Sequence, residues 1–364
     1  MEAQEILQHI GFVLLYGGVI MLSVVAALYL LLRRGNAFAP EVTSPVRLRR
    51  WAAAFLMASA LSHLIWLIYA FYPSPAVYVA VCGLDILLLF PTIAGVLLSM
   101  LQDRKRPVWP MLALLIPAFV IVGVSVVRDD NSLYLPISIY IYLLYALLML
   151  YMFFSVRRYG RWLKDNYADL EHKEVWQSLL ILAVFLLFFI MYSNATEGRR
   201  VLLYLLQIDC ILIVGVLLWR VESLQQLTES NPPEEEPSIQ AQKTLIPLPI
   251  PAKIGPLLKK RCEEGQLYLQ HDLTLAHLAK AVGTNRYYLS QYFAQQGLTY
   301  NSYINGLRIR HFIRLYHESV ANQRICTAQQ LAFESGFHSY STFSVTFKQN
   351  TGMSVTQWMR SSVE

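Results

Sequence analysis

Four polar or ionisable side chains interrupt long apolar runs of this chain: His63, Asp85, Gln207 and Asp209. A carboxylate at the middle of a bilayer costs at least ~2.5 kcal/mol on insertion scales, so such residues face a bundle interior or a wet cavity. There they bind a ligand, relay a proton, or clamp neighbouring helices together. These four make a candidate intramembrane signal site. Other chemistry is poorly provided for. The sequence holds no HExxH, GxSxG, Walker-type or GxGxxG element. Its histidines are scattered, and Cys82, Cys210, Cys262 and Cys326 form no CxxC or other metal spacing. The expectation is therefore no enzyme, no metal and no cofactor, with the cysteines as buried or incidental thiols.

The elements that must position the four residues are apolar helices. Of 364 residues, 55% are hydrophobic and 15% charged, against ~25% charged in an ordinary soluble domain. The mean hydropathy is +0.41. A helix needs about 20 mostly apolar residues to cross a bilayer. Seven stretches qualify, at 8–32, 51–72, 76–101, 107–127, 133–156, 174–194 and 200–220. The first is no cleavable leader, because Arg33 and Arg34 stand where a small-residue cleavage site belongs. With the N-terminus outside, the inner loops carry thirteen Lys and Arg, from Arg33 to Lys173, and the outer loops only Arg128, Arg199 and Arg200. That asymmetry puts the C-terminal segment in the cytoplasm. Trp51, Tyr72, Trp109, Tyr134, Trp176 and Trp219 fit an interfacial belt. His63, Asp85 and Asp209 then fall at similar depth, with Gln207 beside Asp209. Pro91 and Pro117 read as kinks.

Residues 1–225 form the expected membrane domain, 226–256 a joint and 257–364 a second domain. The joint holds seven of the sixteen prolines, from Pro232 to Pro256, and the acidic run Glu234-Glu235-Glu236. Proline lacks an amide donor, so an extended spacer with no helix is expected. Residues 226–252 carry a net charge of −3, with 1 Lys+Arg and 4 Asp+Glu, whereas 253–364 carries +6, with 12 and 6. The acidic run is a passive tether or a patch that holds the basic segment off its target.

The basic segment repeats itself. Leu275, Leu278, Ala279 and Val282 mark one face of a helix that Gly283 ends. Thr284 is positioned to cap a second helix, whose buried face is Leu289 and Phe293. Shifted by 53 residues, Ala328, Leu331, Ala332, Ser335 and Gly336 reproduce the first helix and its turn. Shifted by 54, Phe343 and Phe347 reproduce Leu289 and Phe293. Gly352, Ser354 and Trp358 match Gly297, Thr299 and Tyr303 at a shift of 55. The drift is one extra residue in the second turn. A long helix, Thr299 to Glu318, joins the two units.

Three stretches, DLTLAHLAKAVGTNRYYLSQYF, YINGLRIR and LAFESGFHSYSTFSVTFKQNTGM, together resemble the DNA-binding domain of AraC/XylS-type transcription regulators over roughly residues 265–360. The resemblance implies an all-α domain whose two helix-turn-helix units bind successive major-groove faces of double-stranded DNA. Major grooves on one face recur every ~34–36 Å, which a rigid connecting helix can span. Carried over by position, base-edge contact falls to Tyr287, Ser290, Gln291, Tyr340 and Ser341, with Asn285, His338 and Ser344 on the same outward faces. Phosphate contact falls to Arg286, Arg308, Arg310 and Lys348. Phe293, Phe337, Phe343, Phe347 and Tyr292 read as core. The chain departs from the family at Val345, usually Arg, at Val355, usually Pro, and at Phe312, often Ala.

The sequence thus describes an all-α chain, a seven-helix membrane bundle followed by a tandem helix-turn-helix domain. The leading expectation is a one-component transcription regulator anchored in the bacterial inner membrane, with its DNA-binding domain in the cytoplasm. The bundle would sense a small molecule or membrane signal, and a homodimer is plausible from the benefit of paired DNA-binding domains. A transporter or proton-linked membrane protein with a regulatory DNA-binding tail is the alternative.

Overall fold

A computed structural model describes residues 10–33, 35–128, 132–177, 180–181, 183–184, 199–227, 254–324 and 326–362. The described chain is helical, with one isolated bridge between Tyr167 and Thr274. It divides into two compact units. One comprises Met1–Tyr159 and His172–Leu227, the other Gly160–Glu171 and Thr228–Glu364.

The first unit holds helices α1 (Ile10–Leu32), α2 (Val46–Phe71), α3 (Pro75–Met100), α4 (Trp109–Ala113) and α5 (Ile116–Arg128). It also holds most of α6 (Tyr134–Asn166) and α7 (Arg199–Ser223). Among the described residues, five helices are long and apolar enough to cross a membrane: α1, α2, α3, α6 from Leu135 and α7 from Val201. The fourth expected span is shorter and breaks at Leu114–Leu115, into α4 and α5. Pro117 explains the break, since its ring would clash with the carbonyl four residues back, at Ala113. Pro91, by contrast, sits inside the continuous α3. There the Thr92 hydroxyl donates to the Leu88 carbonyl at 2.8 Å and the Leu89 carbonyl at 3.1 Å, reinforcing a ladder that proline interrupts. The expected sixth span, 174–194, lies largely outside the described residues.

Within this unit α2 packs between α1 and α3, α7 lies against α1 and α2, and α5 lies against α3. Glycine allows two of these approaches. A Cβ at Gly83 would sit 2.2 Å from a Val122 methyl, and one at Gly95 would sit 2.3 Å from the Trp51 ring. Close packing at small residues is one device that holds apolar helices together, and buried hydrogen bonds are another. The second device appears at the end of α7. Glu222 is fully buried, and its carboxylate accepts from the backbone amides of Ala37 at 2.7 Å and Phe38 at 2.8 Å and from the Tyr29 hydroxyl. Asn36 donates to the Glu222 carbonyl at 2.9 Å and accepts from Arg49 at 2.9 Å. Beyond α7 the backbone is pinned. Gln225 donates to the His172 carbonyl at 2.8 Å, Gln226 to the Thr43 carbonyl at 2.7 Å, and Leu227 to the Gln102 side chain at 2.9 Å.

In the second unit come α8 (Ile254–Leu258), a π turn (Lys259–Glu264), a 3-10 turn (Leu267–Leu269), α9 (Leu275–Val282), α10 (Arg286–Gln295) and α11 (Tyr300–Ala321). Helices α12 (Ala328–Glu334), α13 (Tyr340–Thr351) and α14 (Val355–Ser361) complete it. Helix α8 corrects the expectation of a helix-free joint. Pro256 lies in its first turn, where a missing amide costs nothing. From α9 onward each helix starts on a side-chain cap: Thr274, Asn285, Thr299, Thr327, Ser339 and Ser354. The cap of α10 is Asn285, accepting from the Tyr288 amide at 2.9 Å, and not Thr284.

Two cores form here. Leu275, Leu278, Leu289 and Phe293 pack with Tyr300, Ile304 and Leu307 from the first half of α11. Leu331, Phe337, Phe343 and Phe347 pack with Ile309, Phe312 and Tyr316 from the second half. One helix thus serves both cores. Its 22 residues span about 33 Å.

Candidate nucleic-acid interface and intramembrane polar cluster

Each helix pair of the second unit follows from its own sequence. In the first, α9 ends at Gly283 with φ 82°, and two residues later Asn285 caps α10. In the second, Gly336 takes φ 90° and Ser339 caps α13 three residues on. A Cβ at Gly336 would lie 2.9 Å from Leu269 backbone atoms, so both space and φ require glycine there. The extra residue accommodates Phe337, which is buried in the second core.

The outward faces carry most of the expected residues. Asn285, Arg286 and Tyr287 are exposed at the start of α10, and Ser290 and Gln291 are half-buried. Gln291 donates to the Tyr287 hydroxyl at 2.8 Å, which brings two hydrogen-bonding groups together one turn apart. On the second pair His338, Tyr340, Ser341 and Lys348 are exposed and Ser344 is half-buried. Arg310 is exposed on α11. Phe293, Phe337, Phe343 and Phe347 are buried, and Tyr292 packs partly against the first core.

Arg308 is a correction. It is 1% exposed. Its guanidinium donates to the Tyr268 carbonyl at 2.8 Å and the Gln270 carbonyl at 2.7 Å, and lies 5.7 Å from the Phe337 ring centre. Burial pushes its pKa down, though nearby Tyr300 and acidic residues oppose this. Its fork is occupied inside the protein and does not reach a phosphate. Two family departures have a local reason. Val355 is buried at the start of α14, whose cap is already made by Ser354 and Gln357, and Phe312 fills the second core against Phe343 at 4.5 Å. Val345 is exposed. Cys262 is fully buried, and burial pushes its thiol up to about 12, which makes it unreactive.

Of the four polar residues in the apolar helices, His63 and Asp85 come together. Trp66 donates through Nε1 to Asp85 Oδ2, and Ser62 and His63 lie beside the same carboxylate. The His63 ring stands 5.0 Å from that of Tyr16, whose hydroxyl donates to the His63 carbonyl at 2.6 Å. His63 Nδ1 is 2.8 Å from the Ser59 carbonyl. Gln207 and Asp209 are buried on α7, and each has an oxygen without a hydrogen-bond partner, as has Asp85. Two positions apart on a helix, they point about 200° apart. Tyr16 lies near both Asp85 and Cys210, the neighbour of Asp209. Sequence reasoning missed Trp66 and Tyr16. Trp66 was findable, since it follows His63 by three residues and shares its helix face.

Residues 278–361 match the family model of a helix-turn-helix domain. The match begins within α9 and runs through α10, α11, α12 and α13 to the end of α14. No curated protein and no solved structure matches the chain.

Proposed function

We propose that this chain is a membrane-anchored, one-component transcription regulator of AraC type, in which the helix-turn-helix domain binds promoter DNA in the cytoplasm and an apolar bundle receives the signal. The observation that carries the reading is the pair of capped helices α10 and α13. Each presents hydrogen-bonding side chains at its N-terminal end, the end that a recognition helix directs at base edges. Tyr287, Ser290, Gln291, Tyr340 and Ser341 read bases. Arg286, Arg310 and Lys348 hold phosphates. Seven spans with the N-terminus outside put this domain beside the chromosome. Residues 1–225 serve as sensor, with His63, Asp85, Trp66 and Tyr16 as the polar centre, Asp209 and Gln207 on opposite faces of α7, and a homodimer as the functional form.

The test is genome-wide mapping of DNA crosslinked to the full-length protein, beside a Gln291→Ala/Tyr340→Ala variant. Discrete sites lost in the variant are expected. Sites that persist unchanged would remove the contact assignment, and an absence of sites in the parent would remove the function.

A further inference from the structure

Residues 167–171, the five that follow α6, belong to the second compact unit and lie against both helix pairs. On the first pair, Tyr167 makes an antiparallel bridge with Thr274, the cap of α9. Asn301 donates to the carbonyls of Tyr167 at 3.1 Å and Ala168 at 2.7 Å, and the buried Asn305 donates to Ala168 at 2.9 Å. Ala168 is 1% exposed and joins the first core. Burial raises the Tyr167 phenol pKa, and the cation of Arg286 opposes this, so Tyr167 lies within electrostatic reach of the first recognition helix.

On the second pair the contacts are acidic. The Glu171 carboxylate accepts from the Ser339 hydroxyl and, at 3.2 Å, from the Thr342 hydroxyl. Asp169 accepts from the Thr342 hydroxyl at 3.5 Å and from the Glu171 amide at 3.0 Å, which fixes the turn that presents both acids. Ser339 is the cap of α13 and Thr342 lies in its first turn. The amide-rich start of a recognition helix favours anions, and it is the end that enters the groove, between the phosphates that line it. Two carboxylates on its hydroxyls occupy that position with charge of the same sign.

We infer that residues 167–171 are an autoinhibitory strap, in which Asp169 and Glu171 stand in for DNA phosphates at α13 and compete with DNA for it. The strap is covalently continuous with α6 on one side and His172 on the other, so the segment that blocks the DNA-binding domain belongs to the sequence of the apolar domain. This inference rests on the DNA-binding reading above.

Competition for a phosphate seat is independent of base sequence, so a mixed-sequence duplex of about 40 base pairs is a sufficient probe. The full-length protein in lipid nanodiscs is titrated with it at fixed salt, beside the Asp169→Asn/Glu171→Gln variant. The variant is expected to bind about 5- to 150-fold more tightly, the range of a typical coupling between sites. A second measurement needs no mutation. In the unaltered protein, saturating DNA is expected to speed amide hydrogen exchange across 167–171 while slowing it at the start of α13. Equal or weaker binding by the variant, or a strap that keeps its protection while DNA binds, overturns the inference and leaves the function standing. If neither protein retards the duplex at any salt concentration, the DNA-binding reading fails instead.

Discussion

Arg308 separates two physical accounts of the same sequence position. As a phosphate contact, its replacement by lysine would leave the domain's stability alone and weaken DNA binding at every site. As a buried tie, it links the 3-10 turn, through the carbonyls of Tyr268 and Gln270, to Phe337 in the second core. Lysine keeps the charge and reaches one carbonyl, but it cannot serve both or lie flat against the ring. One charged hydrogen bond is then lost and one buried carbonyl is left bare, at ~1.5–3 kcal/mol for the first and ~1–3 kcal/mol for the second. Partial relaxation leaves about 2–4 kcal/mol of destabilisation. Amide exchange measured by mass spectrometry on the full chain in nanodiscs reads this directly, since the α11 amides open with the domain. Arg308→Lys should speed their exchange about 30- to 900-fold, by RT ln of the opening constant. The affinity for DNA, measured on the folded protein, should be unchanged. Unchanged exchange together with weaker DNA binding at every site would refute the buried tie and restore the phosphate contact.

Phe312→Ala empties the centre of the second core, where Phe312 is fully buried against Phe343 and Phe347. A loss of about 3–5 kcal/mol is expected, read from the exchange of α13 amides. Asn285→Ala removes the cap of α10 and should cost about 1 kcal/mol, seen as faster exchange confined to its first turn. Glu222→Ala leaves the amides of Ala37 and Phe38 without their acceptor and should destabilise the apolar unit by about 3 kcal/mol or more, measured as a lowered midpoint of thermal unfolding in detergent. His311 is mostly buried, and its Nδ1 accepts from Arg314 at 3.1 Å and lies 2.9 Å from the Tyr268 hydroxyl; burial, then Arg314, lowers its pKa. The folded domain therefore disfavours the proton that the unfolded chain accepts near pH 6.5. Stability should be complete above that value and fall as pH drops through it, and the fall should shrink in His311→Gln.

The fold of the second unit was legible because its signals are local and repeated. The period of Leu275, Leu278, Ala279 and Val282, the terminal glycines, and the shifts of 53 to 55 residues locate the helices before any contact is known. The exposed faces of α10 and α13 follow from the same periods. Arg308 was misassigned because a motif names a position but not its burial, and an arginine reads as surface until the carbonyls it meets are placed. Asn285 displaced Thr284 as cap for a similar reason, since the two adjacent capping residues differ only in where the backbone turns. That His63 meets Asp85 while Gln207 and Asp209 point apart was out of reach, because depth along a helix says nothing about rotation around its axis. The strap escaped notice entirely. Its acids lie among basic residues that were read for membrane orientation, and a contact between residues 171 and 339 leaves no mark in local sequence.

Helix α11 sets a gauge between the two helix pairs. Because opposite ends of this one rod are built into the two cores, the pairs have no separate freedom to adjust their phase on a duplex. One residue inserted near its middle would turn one pair by about 100° against the other and slide it by 1.5 Å, whereas seven would nearly restore the angle but add about 10 Å. Under the proposed function, the number of residues in α11 would set the spacing of the DNA half-sites, and a change in that spacing would have to come in near-whole helical turns.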